Sequence, residues 1–262
     1  MARRRILITG ASAGIGEAFA RAYAARGFDL VLTARRAERL DALSAALRRE
    51  HGANSQTIAA DLADPAAPLA ILDAAGEIDG LVNNAGYGLG GTFANTAWED
   101  QAAFIRVMMT APAELAHRVI PGMVARGYGR IVNVASLAGI LPSGPGHTLY
   151  AASKAFMIKM SESLSAELAG TGVNVSALCP GFTYSEFHDV NATRDQVSKM
   201  PAWMWQTADA VVAEAIAGVD RGDPVVVSGF VNRRLVWLSK ALPSGAARAL
   251  VAGQAQRYRR ME

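Results

Sequence analysis

The feature that most constrains this chain is a short apolar run, Arg5-Ile6-Leu7-Ile8-Thr9, that breaks into Gly10-Ala11-Ser12-Ala13-Gly14-Ile15-Gly16 and then into a helix-like stretch. The run reads as a buried strand. Glycines let the chain turn sharply and bring bare backbone close to a ligand. A helix that starts behind them turns its unsatisfied N–H groups and the positive end of its dipole towards the turn, where the phosphates of a dinucleotide can sit. The spacing is Gly-x-x-x-Gly-x-Gly rather than the commoner Gly-x-Gly-x-x-Gly.

Strand-like and helix-like runs alternate along the rest. Strands are expected at 5–9, 29–33, 56–60, 79–83, 130–135, 173–178 and 224–228. Helices are expected at 17–26, 37–50 (Leu40, Leu43 and Leu47 at helical spacing), 101–124 despite Pro112, 150–168 and 208–219. Alternation of this kind implies βαβ units and a parallel sheet. The 262 residues suit one α/β domain, a Rossmann-type doubly wound sheet of about seven strands over 1–229, with a helical extension over 230–262. At 51% hydrophobic the chain can bury a sizeable core.

Cys179 is the one cysteine, so no internal disulfide forms, which agrees with a reducing, cytoplasmic compartment. Arg3-Arg4-Arg5 imitates the start of a signal peptide, but Ile6-Leu7-Ile8 is too short for its apolar region. There is no run of 18 apolar residues, so no membrane-spanning helix is expected. Net charge is +3 and does not by itself argue for nucleic acid. It is unevenly placed: residues 230–262 hold seven basic groups and one acid, leaving the rest of the chain at −3.

Tyr150 and Lys154 stand about one helical turn apart, so both project from one face. A phenol has a pKa of about 10 and is a poor proton carrier near neutrality. A neighbouring ammonium favours the phenolate and lowers that value, tuning the pair for acid/base work. Ser136 ends the strand at 130–135, at the carboxyl edge where such sheets bind ligands.

Thr9-Gly10-x-x-x-Gly14-Ile15-Gly16, Asp61-Leu62, Asn83-Asn84-Ala85-Gly86, Ser136, Tyr150-x-x-x-Lys154 and Pro180-Gly181 occur in the order of the short-chain dehydrogenase/reductase family, which the chain resembles over roughly 6–190. The stretch 179–187 also resembles a bacterial reductase subgroup whose substrates are mostly unassigned. The resemblance implies that Tyr150 is the catalytic acid/base. It makes Lys154 the group that lowers its pKa and binds the nicotinamide ribose, and Ser136 the group that positions the substrate oxygen. It implies cofactor contacts from Gly10, Ser12, Gly14, Ile15 and Gly16, from Asp61 and Leu62 at adenine, and from Asn84, Ala85 and Gly86 on the adenosine side. Pro180, Gly181, Thr183 and Ser185 would border the carboxamide. Asn83 is expected as a clamp between strands. No metal site is implied.

One departure is Met108, counted back from Pro121, where the family often carries a catalytic asparagine that helps to hold a relay water. Methionine offers only a weak thioether acceptor. The cofactor is read at the end of the second strand. Ala34 stands where NAD-using members often have an acid, and Arg35 follows, able to pair with a 2′-phosphate. NADP(H) is the expectation, with NAD(H) left open.

Phe187, Met200, Trp203, Met204 and Trp205 fall where the family carries a substrate lid and suggest an apolar carbonyl or alcohol substrate. His147 faces either substrate or solvent. In the extension, Val231, Leu235, Leu238 and Leu242 would share one helical face opposite Arg233 and Lys240, to pack on the protein, on a second subunit or on an anionic membrane. The family implies a homodimer or homotetramer. The competing reading is a non-catalytic dinucleotide sensor on the same fold. A nucleic-acid binder would rest on the tail alone.

Overall fold

The computed structural model describes residues 3–143, 148–184 and 201–242. Seven parallel strands form the main sheet: β1 (Arg5–Thr9), β2 (Asp29–Ala34), β3 (Ser55–Ala59), β4 (Gly80–Asn83), β5 (Gly129–Val134), β6 (Val173–Cys179) and β9 (Val225–Val227). Their spatial order is β3-β2-β1-β4-β5-β6-β9. The order reverses between β1 and β4, and ligands of open α/β sheets bind outside the carboxyl ends of the strands at such a point. The expected doubly wound sheet is present. Ile6, Leu7 and Ile8 are fully buried because both faces of β1 are covered. Each such side chain contributes roughly 1.5–3 kcal/mol relative to exposure.

On one face of the sheet, the core draws on α1 (Gly14–Ala25), α2 (Ala37–His51) and α7 (Ala208–Arg221). Leu40, Leu43 and Leu47 point inward from α2 as their spacing predicts. On the other face lie α3 (Ala67–Ala75), α4 (Trp98–Ile105), α5 (Ala111–Ala125) and part of α6 (Thr148–Glu167).

Four differences from the sequence reading have physical causes. Helix α1 starts at Gly14, three residues earlier than expected, so Gly16 already lies in its first turn, which Gly14 enters with φ 57°. Helix α3 is short and apolar on most positions, and its periodicity gave no signal. The small parallel pair β7 (Phe182–Tyr184) and β8 (Trp205–Thr207) is likewise made of strands too short to show alternation. The long helix at 101–124 is two helices joined by a π turn over Arg106–Thr110. The Ala111 N–H reaches back five residues to the Arg106 carbonyl. Pro112 has no N–H, so the Met108 carbonyl loses its α-helical donor.

Helix α8 (Phe230–Ala241) exists, but rotated from expectation. Its packed face is Asn232 and Val236, with Val231 and Leu235 half-buried, whereas Leu238 and Leu242 are exposed. Among the described residues no helix is long and apolar enough to cross a membrane.

Candidate active site

The glycine loop is held from behind. The Thr9 hydroxyl accepts from the Asn84 and Ala85 N–H groups at 3.0 Å. The Asn84 side-chain amide donates to the Thr9 and Gly10 carbonyls at 3.0 and 3.1 Å. Asn84 thus spends both amide protons on the loop and fixes it, beyond the expected lining role. Gly10 has φ 65°, a left-handed backbone natural to glycine. A Cβ on Gly16 would stand 2.2 Å from the Gly10 carbonyl oxygen, so this glycine is a packing residue that lets α1 approach β1 and does not line the cleft. Ala13 at the N-cap makes no side-chain cap bond, so the first N–H groups of α1 remain for a ligand.

A cleft of about 350 Å³ runs past this loop. Of the expected cofactor residues, Gly10, Ser12, Gly14, Ile15, Arg35, Asp61, Leu62, Asn84, Ala85, Gly86, Lys154, Pro180, Gly181 and Thr183 line it. Ser136 lines it too. Ser185, His147, Phe187 and Met200 lie outside the described residues.

The far wall carries a residue the sequence reading passed over: Arg36. Its guanidinium donates twice to the Ser12 hydroxyl, at 3.0 and 3.2 Å, so it lies against the glycine loop. The adjacent Arg35-Arg36 pair was the available signal. Strand β2 ends on Ala34 with no carboxylate at its tip. A dinucleotide fits this donor set: bare helix N–H groups for a pyrophosphate, and two guanidinium groups with a hydroxyl for a further phosphate.

At the other end, β5 delivers Ser136 into an extended backbone that caps a short 3₁₀ turn, Leu137–Gly139. The Ser136 hydroxyl accepts from the Ala138 N–H at 3.2 Å and, against the larger effect of burial, lowers the pKa of the Tyr150 phenol. It is therefore a capping serine that also lines the cleft. Gly139 was not foreseen. A Cβ there would meet the Lys154 backbone carbon at 2.6 Å, so glycine is what lets the Ser136 turn sit against α6.

Lys154 is buried, and its ammonium donates to the Val134 carbonyl at 2.8 Å while lying 5.6 Å from the centre of the Tyr150 ring. Burial pulls it down from 10.5 to about 8, with a smaller opposing effect of Cys179. Burial raises the Tyr150 phenol above its ordinary value, and the Ser136 hydroxyl offsets part of that. The Lys154 ammonium is aimed at a backbone carbonyl, and burial is the largest influence on the phenol. Cys179, beneath both, is pushed up to about 12 by burial and packs as an apolar residue.

Behind Lys154 lies a second cavity of about 10 Å³, lined by Thr9, Asn83, Met108, Val134 and Lys154 among others. Asn83 donates across the β4–β5 pair to Asn133 at 2.9 Å, the strand clamp expected of it, and to the Pro112 carbonyl at 3.2 Å. Its buried Oδ1 has no protein partner. Met108 is buried, with its sulfur packed towards Gly86.

Comparison with known proteins agrees with this geometry. The family profile described as short chain dehydrogenase matches residues 4–196. The chain is 38% identical over 218 residues to sulfoacetaldehyde reductase of Chromohalobacter salexigens, covering 81% of this chain and 84% of that protein. It is 37% identical over 184 residues to the ketoacyl reductase HetN of a Nostoc species, where the match spans 68% of this chain and 63% of the relative's length. Among solved structures it is similar to a short-chain dehydrogenase from Sphingobium yanoikuyae in complex with NADPH, with TM-score 0.79, 37% identity and coverage of 86% and 87% of the two chains. The chain belongs to the short-chain dehydrogenase/reductase family of oxidoreductases.

Proposed function

We propose that the chain is an NADP(H)-dependent reductase or dehydrogenase that interconverts a carbonyl and an alcohol. The observation that carries this reading is Lys154, anchored on the Val134 carbonyl beside the Tyr150 ring, lining with Ser136 one end of a cleft whose other end carries the glycine loop. A bound reduced nicotinamide would supply the hydride. Ser136 holds the carbonyl oxygen. Tyr150, kept protonated by burial, carries the proton that this oxygen takes up, and receives it in the reverse direction. Lys154 stands behind the phenol and replaces its proton. The small cavity next to Lys154 has room for about one water and offers the Asn83 Oδ1 as an acceptor. That supplies a path where the side chain of Met108 supplies none.

Preference for NADP(H) over NAD(H) rests on Arg35 and Arg36 with Ser12 at the end of β2, and on the lack of an acid there. An apolar substrate is inferred from the aromatic β7–β8 pair, whose first strand directly follows Gly181 and where Trp205 packs on Phe182 at 5.5 Å and stacks on Tyr184 at 4.8 Å. The dinucleotide-sensor reading draws on Met108 alone. The test is carbonyl-dependent NADPH oxidation across a panel of aldehydes and ketones. Turnover that vanishes in Tyr150→Phe supports the reductase. Tight NADPH binding without turnover favours the sensor.

A further inference from the structure

The outer face of α8 is built unlike any surface the cleft needs. Phe230 and Trp237 are 64% and 63% exposed, and Leu238 and Leu242 are exposed beside them. The spacing from 230 through 234 and 237 to 241 puts Phe230, Arg234, Trp237 and Ala241 along one stripe of the helix. The Arg234 guanidinium lies 4.9 Å over the Phe230 ring, and Lys240 is exposed at the far end. Arg233 marks the edge, paired with Glu214 of α7 at 2.6 Å. The inner face is fully used. The Asn232 amide donates to the Ser228 carbonyl at 2.7 Å, and its side chain packs so closely on Gly181 that a Cβ there would stand 2.7 Å from it. The helix is thus fixed against the nicotinamide-side loop, and its aromatic face is free of any packing duty among the described residues.

We propose that this face docks on an anionic lipid bilayer. Two observations choose that occupant. Large aromatic side chains beside guanidinium and ammonium groups suit the headgroup boundary, where rings insert and basic groups meet lipid phosphates. Residues 230–262 also carry seven basic groups against the single acid Glu262, which complements an anionic surface. A second copy of the same face is a poor partner, since an isologous contact sets the basic groups against their own copies. Nucleic acid accounts for the charge but not for Leu238 and Leu242. The inference stands apart from the reductase reading, because docking is read without turnover.

The full chain would be sedimented with sucrose-loaded vesicles of phosphatidylcholine alone and of phosphatidylcholine mixed with phosphatidylglycerol. The expected result is pelleting with the mixed vesicles at low salt, retention falling at high salt, and little pelleting with phosphatidylcholine alone. Arg234→Gln with Lys240→Gln would weaken partitioning roughly thirty-fold, at the usual contribution of a basic residue near such a surface. Phe230→Ser with Trp237→Ser would weaken it as well while leaving the far-ultraviolet dichroism unchanged. A wild-type chain that stays in the supernatant with both vesicle types overturns the proposal. So does pelleting unchanged in both double variants. An oligomer in light scattering that dissociates in the Phe230/Trp237 variant gives the face to a second copy instead. Retention on an oligonucleotide but not on vesicles gives it to nucleic acid.

Discussion

The glycine loop and the outer face of α8 present chemistry to their surroundings in opposite ways. The loop offers backbone. Its side chains are pared away, Gly16 leaves no space for a methyl group, and Asn84 spends both amide protons holding the turn. Helix α8 offers side chains, held in place by an inner face whose buried residues are Asn232 and Val236. A site made of backbone tolerates almost no substitution and leaves a spaced signature in the sequence. A site made of exposed side chains tolerates many and leaves only composition.

Substitutions can break this contrast. The largest effect is expected for Gly16→Ala. The added Cβ meets the Gly10 carbonyl at 2.2 Å, where backbone cannot move aside. Stability should fall by about 2 kcal/mol or more, and dinucleotide binding should be lost by fluorescence titration. Retained binding would show that the loop is softer than its packing.

Arg35→Ala should come next. Losing charge-assisted bonds to a phosphate costs roughly 1.5–3 kcal/mol, or about tenfold to a hundredfold in NADPH affinity, with NADH affinity unchanged. Equal losses for both nucleotides would remove the 2′-phosphate assignment.

The pH profile probes Lys154. Its ammonium is held at about 8 in the folded protein against an ordinary 10.5. Reduction measured as kcat/KM should therefore hold level below about 8 and fall by one proton above it. Lys154→Met should be much slower and lack that break. For stability the sign is reversed. Between about 8 and 10.5 the unfolded chain binds more protons at this residue, so its contribution to stability rises with pH across that window.

The smallest effect belongs to α8. Trp237→Ser should change thermal stability by no more than about 0.5 kcal/mol and leave turnover of a water-soluble carbonyl intact. A larger loss of stability would mean that this ring is part of the fold.

The same contrast explains what was legible in advance. The parallel sheet and Gly10 could be read from the alternation of runs and the strand–glycine–helix pattern, whereas Asp61, Asn84 and Lys154, which also line the cleft, are implied as cofactor contacts by the family resemblance. The two-part helix around Pro112 could be read only in part, since proline marks the lost donor but not the π turn that absorbs it. Arg36 and Gly139 escaped because their roles are set by contacts distant in sequence, with Ser12 and with the Lys154 backbone. Helical spacing puts Lys154 on the face of Tyr150, but the bond from its ammonium to the Val134 carbonyl is set by the fold. The rotation of α8 was set by Asn232 against Gly181, a polar anchor that an apolar pattern cannot reveal.

The most direct test of the central claim combines binding and turnover in one pair of proteins. Wild type and Tyr150→Phe would be titrated with NADPH and NADH, then supplied with aldehydes and ketones while absorbance of the reduced nicotinamide is followed. The account predicts tighter binding of NADPH than NADH by both proteins. It also predicts carbonyl-dependent oxidation by wild type, reduced about 10²- to 10⁴-fold in the variant. Equal turnover by the two proteins would contradict the role given to Tyr150. Failure to bind either nucleotide would contradict the reading at its root, the loop from Gly10 to Gly16.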